Sequence, residues 1–152
     1  MENTEYLKTI FLFRELTGLE LINFNKVLHA EHVKKGTEII REGEPGDKMY
    51  ILKKGAVDIY KGFEANRTKL THLLPGAHFG EIALVEKNVR SASVVALDDC
   101  ELLTIKRADF ENVLAEHESI AMKIYRAFTR ALCDRLRQAN ENLIVAHQLQ
   151  SS

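Results

Sequence analysis

The sequence predicts a mainly β domain with flanking helices (α+β), built as a β-roll or jelly-roll sandwich with N-terminal helices and one long C-terminal helix. Three observations predict it. Apolar residues recur at helical spacing over residues 4–30, with Leu16, Leu19, Ile22 and Val27 among them. From His32 the period changes to alternation, cut by glycines at 36, 43, 46, 55 and 62, as short antiparallel strands joined by tight turns require. From about Ser119 a helical seam returns. It runs without Gly or Pro through Ile124, Phe128, Leu132, Leu136, Ala139, Leu143 and Ala146.

Each element follows in order. Thr17 and Gly18 mark a break between two short helices. Glu44, Pro45, Gly46 and Asp47 form the clearest turn, because Pro fixes one φ and Gly permits a positive one. A strand over 69–74 ends at Pro75 and Gly76. Strands resume over 93–97 and 101–105, separated by Asp98 and Asp99. Ala108, Asp109 and Phe110 open a short helix. The chain thus reads as one domain over 1–152: helices to about residue 30, a β-roll over 31–105, and helices over 106–148. The last helix is too long for its own small domain to cover. Its far half calls for a second copy of itself, as a homodimer, or for a partner protein.

Bulk properties narrow the function. A chain of 152 residues suits one real core. The 21 basic and 22 acidic side chains leave a net charge of −1, so no basic field gathers DNA or RNA directly. Cys100 and Cys133 lie far apart, each without a metal-ligand neighbour, which argues against a disulfide scaffold, a zinc site or an iron–sulfur cluster. Cys133 reads as a small buried hydrophobe. A reducing cytoplasm is the expected location. No signal peptide and no membrane span is expected.

The chemistry concentrates in FGEIALVEKNVRSASVVAL, which begins at residue 79. Gly80 lets a ligand approach the backbone. The residues after it fit one short helical turn, whose free N–H groups make a seat for a phosphate. Arg90 offers a guanidinium fork suited to two phosphate oxygens, and Ser91 donates beside it. Glu81 would repel a phosphate, so its natural partner is a ribose hydroxyl. The blander reading pairs Glu81 with Arg90 as a brace across a turn.

FGEIALVEKNVRSASVV resembles the phosphate-binding cassette of the cyclic-nucleotide-binding domain family. That family includes regulatory subunits of cAMP-dependent protein kinase, cyclic-nucleotide-gated channels and the catabolite activator protein. Phe79, Gly80, Glu81, Ile82, Ala83, Leu84, Arg90, Ser91, Ala92 and Ser93 match its pattern, and Gly43, Gly46 and Gly55 match its upstream strands. Val89 stands where many members have Pro, and Glu86, Lys87 and Asn88 lack the usual Gly. The resemblance implies backbone contacts to ribose and phosphate from Gly80, Ile82 and Ala83. It implies that Glu81 takes the ribose 2′-hydroxyl and that Arg90, supported by Ser91, takes the cyclic phosphate. By register on the long helix it brings Asn140 to the purine edge; the alternative leaves Asn140 as an exposed helix residue. Phe79, Leu84 and Ala92 complete the candidate site.

The resemblance therefore implies a regulatory sensor module for cAMP, more than for cGMP, that signals through movement of its C-terminal helix. The alternative is a nucleotide-independent interaction or dimerisation module of the same fold. No cofactor beyond the nucleotide, no catalytic residue and no metal ligand is expected. An enzyme acting on the same ligand would need an activated water, and no His-rich motif surrounds the cassette. No recognition-helix module is expected to follow the long helix.

Overall fold

The structure, a computed structural model, describes residues 3–151. Helix α1 (Asn3–Lys8) is followed by a 3₁₀ turn at Phe11–Phe13 and by α2 (Gly18–Asn25). Eight strands follow: β1 (His29–Val33), β2 (Glu38–Ile40), β3 (Lys48–Lys54), β4 (Val57–Lys61), β5 (Thr68–Leu73), β6 (His78–Phe79), β7 (Ser93–Ala96) and β8 (Cys100–Lys106). Helices α3 (Arg107–Glu116) and α4 (Glu118–Ser151) complete the chain.

The strands form two antiparallel four-stranded sheets, ordered β1-β8-β3-β6 and β2-β7-β4-β5. The expected β sandwich with flanking helices is what the chain builds. Alternation explains how one sheet serves two layers. Met49 and Ile51 of β3 face the same way as their partners Ile105 and Leu103 of β8, and these four pack against the helices. Tyr50, Leu52 and Leu102 point the other way, into the sandwich with Val57, Phe79 and Val94. β3 and β8 are therefore covered on both faces, and their apolar runs are continuous rather than alternating.

The helical layer is held by aromatic contacts. Phe13 meets Phe24 edge-on with ring centroids 4.9 Å apart, and Phe24 lies 5.8 Å from Phe110 of α3. The break at Thr17 is an N-cap. The Thr17 hydroxyl accepts from Glu20 N (3.2 Å), and Glu20 Oε1 accepts from Thr17 N (2.9 Å).

Four details differ from the sequence reading. Leu19 is 80 % exposed and Ile22 also faces outward, while Leu21 and Phe24 are buried. The strand region begins at His29, ahead of the expected change of period at His32. The positive φ near the Pro45 turn belongs to Gly43 (87°), not to Gly46. Cys133 is exposed, because α4 has by then left the domain; Cys100 is the buried cysteine. Among the described residues, no helix is long and apolar enough to cross a membrane.

Candidate functional site

β6 delivers the chain to Gly80, which adopts a left-handed conformation (φ 78°) that an L side chain resists. A 3₁₀ turn at Glu81–Leu84 follows. The expected helical turn is therefore present, in its tighter form. Its Ala83 and Leu84 are buried, which fixes the turn against the domain.

The segment leading to Arg90 is clamped onto the 43–46 turn. Gly43 N donates to Arg90 O (2.8 Å), Arg90 N donates to Glu44 O (2.8 Å), and Pro45 bridges Val89. Asn88 Oδ1 accepts from Val89 N (2.8 Å). Asn88 O accepts from Gly46 N (3.4 Å). Pairing thus orders the loop at the two places, Val89 and the missing Gly, where it departs from the family pattern.

Gly46 has a packing role rather than a turn role. A Cβ there would overlap Nε and Cζ of Arg90. A Cβ on Gly80 would lie 2.8 Å from Arg90 Nη1. The guanidinium lies in a cradle between these two glycines. Nη2 donates to Lys48 O (2.7 Å) and Nη1 to Gly80 O (3.3 Å). Burial pulls the Arg90 pKa below its ordinary value, with Tyr50 and Asp47 working the other way. Among the described residues, no carboxylate lies within ion-pair distance of it.

Glu81 does not pair with Arg90. Its Oε1 lies 3.4 Å from Arg135 Nη2 of α4, and its Oε2 lies 3.5 Å from His78 Nδ1. Burial raises the Glu81 pKa, but His78, a backbone N–H and Arg135 together outweigh it and hold the carboxyl below the usual value. Two oppositely charged groups thus stand on one wall, each with capacity left for a ligand.

Both line a cavity of about 560 Å³, within the ordinary range for small-molecule sites. Phe79, Gly80, Ile82, Ala83, Ser91 and Ala92 line it as well. Leu84 lies beneath, in the helical core. Asn140 is exposed on α4 and is not on the cavity wall.

The opposite wall was not foreseen. Ile40, Ile59, Leu70, Leu73 and Val94, all from the second sheet, present an apolar surface. Strict alternation would put Leu70 and Leu73 on opposite faces of β5. A register shift between Ile59 and Tyr60 leaves Leu70 as an extra residue, so Leu70, Thr71 and Leu73 all reach the cavity. A guanidinium with free donors, a hydroxyl acceptor and an apolar lining in one cavity suit a phosphate, a sugar and a base.

A family model described as the cyclic nucleotide-binding domain matches residues 30–117. The chain belongs to that family. It is 33% identical over 119 residues to a cAMP-dependent protein kinase regulatory subunit of Blastocladiella emersonii, covering 78% of this chain and 30% of that protein. The chain thus spans about a third of the length of the curated relatives it matches. Among solved structures, it superposes on the Thermus thermophilus catabolite activator protein with a TM-score of 0.75 at 27% identity, covering 90% of this chain and 62% of that one. It superposes on the regulatory domain of Toxoplasma gondii PKA, solved with cAMP, with a TM-score of 0.68 at 27% identity, covering 72% and 42%. The domain therefore has the fold of cyclic nucleotide-binding domains.

Proposed function

We propose that this domain is a cAMP sensor, a binding module rather than an enzyme. The observation that carries the reading is that Glu81 and Arg90 line one cavity without pairing with each other. The cyclic phosphate takes the free donors of Arg90, with Ser91 beside it. The ribose hydroxyl takes Glu81, and the base lies against the apolar wall. The relatives named above support cAMP over cGMP as the ligand. Arg135 links the site to α4, so a ligand that takes Glu81 biases where that helix rests. The output is the far half of α4, where Leu132, Leu136 and Leu143 are exposed at steps of four and seven residues, a seam fit for a second copy in a homodimer or for a partner helix. The free thiols of Cys100 and Cys133 fit a cytoplasmic setting.

Titration calorimetry tests the reading. Arg90→Ala is expected to weaken cAMP binding by more than about tenfold, since a charge-assisted bond contributes roughly 1.5–3 kcal/mol. Melting of the ligand-free variant should move little, because the guanidinium is desolvated with no ion-pair partner to stabilise it. Equal affinity in the variant, or no binding of cAMP or cGMP to the parent protein, would overturn the assignment.

A further inference from the structure

His78 is a residue of this cavity that the motif does not include. β6 pairs it with Ile51 of β3, which sets the ring between the cavity and the helical layer. On the helical side its ring centroid lies 6.2 Å from that of Phe11, which in turn lies 6.4 Å from Phe128 of α4. Its Nδ1 is buried and makes no hydrogen bond among the described residues. The carboxylate of Glu81 stands 3.5 Å away, through Oε2.

A buried ring nitrogen without a partner is unfavourable, and a carboxylate can only accept. A small swing of Glu81 toward the ring satisfies both groups. The long contact to Arg135, on the other oxygen, is equally slack at 3.4 Å. Glutamate has three side-chain torsions to order when it takes a ligand hydroxyl. A strand-borne ring beside it, packed on Phe11, is a rigid device for ordering them.

We infer that His78 is a positioning residue for Glu81, donating from Nδ1 to Oε2 so that Oε1 meets the sugar hydroxyl, and that it thereby sets the preference for ribose over deoxyribose. The inference rests on reading the cavity as a cyclic nucleotide site, and names a determinant of sugar specificity within it.

The test is calorimetric titration with cAMP and with its 2′-deoxy analogue. The parent protein is expected to prefer cAMP by at least about tenfold, the size of one charge-assisted bond. In His78→Phe a ring remains against Phe11 but the donor is gone. The preference should fall below about threefold, with the loss confined to the ribose ligand. His78→Asn, which returns a donor near the Nδ1 position, should recover most of the preference. His78→Leu provides the same comparison should the Phe variant fail to fold. A folded donor-free variant that keeps the full preference would overturn the inference while leaving the nucleotide reading intact. So would a variant that loses both ligands equally, which marks a merely structural ring. A parent protein that binds neither ligand sinks the nucleotide reading, and this inference with it.

Discussion

The two halves of α4 share one periodic seam and meet opposite fates. In the near half Ile120 and Ile124 are only 1% and 0% exposed in the helical core, and Phe128 packs against it. Three ion pairs hold this half to the N-terminal segment: Lys123 to Glu20 at 2.6 Å, and Arg126 and Arg130 to Glu15 at 3.6 and 2.6 Å. In the far half every residue over 132–150 is exposed, including Leu136 at 65% and Leu143 at 68%. The helix is 34 residues long, about 50 Å at 1.5 Å per residue, and the domain is too small to accompany it. Apolar spacing alone therefore does not say what a helix packs on. The near half belongs to the fold, and the far half is a surface the fold projects. Arg135, near the start of the far half, reaches back to Glu81 on the cavity wall.

The largest expected contrast comes from cutting the seam in each half. Ile124→Ala removes a fully buried side chain and leaves a cavity among Leu114, Ile120 and their neighbours. Large-to-small changes of this kind lose about 2–5 kcal/mol. For a chain of this size the melting temperature should fall by roughly 6–15 °C, measured by calorimetry or circular dichroism. A fall under a few degrees would mean that the near half is as loosely held as the far half.

A smaller effect comes from the polar tie at the start of α4. Glu20 caps α2 and also receives Lys123 and Ser119. The hydrogen bond from Lys123, followed by that from the Thr17 backbone, lowers its pKa to about 2 from an ordinary 4.5, against a smaller opposing effect of burial. A carboxyl whose folded pKa is depressed stabilises the fold above its unfolded pKa, and loses that contribution as the pH falls through the folded one. Glu20→Gln should thus lower the melting temperature by a few degrees above pH 5, for a loss of about 1 kcal/mol after solvent screening. The gap between parent and variant should close as the pH falls from about 4.5 toward about 2. A gap unchanged across that window would assign the effect to packing rather than charge.

Legibility in the sequence followed contiguity. The candidate site residues over 79–92 are neighbours in the chain, and eight of the ten expected residues line one cavity. The sandwich could be read because alternation and glycine-cut turns are local. The apolar wall could not. It draws five residues from four strands and depends on a register shift between β4 and β5 that leaves no mark in composition. Nor could the face of α2. Leu19, Leu21, Ile22 and Phe24 crowd an eight-residue helix, and the tertiary core, with the Phe13 and Phe110 rings against Phe24, selects which of them is buried. Gly46 read as a turn residue because glycine beside proline usually is one; its neighbour Arg90 is 44 positions away. Cys133 read as buried from its side-chain type, and the departure of α4 from the domain decided otherwise.

The smallest expected effect on stability is also the one that most sharpens the comparison. Leu136→Ala alters the same seam as Ile124→Ala, but at a position where the domain offers little cover. In a protein held dilute enough to be monomeric, its unfolding should shift by less than about 0.5 kcal/mol, the usual size of an exposed change. The pair Leu136→Glu and Leu143→Glu carries the argument further. If the far half meets a second copy, sedimentation should show a dimer in the parent protein and a monomer in the double variant, with cAMP affinity altered far less than by Arg90→Ala. If the parent sediments as a monomer with and without cAMP, the seam is reserved for a different protein, and the homodimer reading of α4 fails.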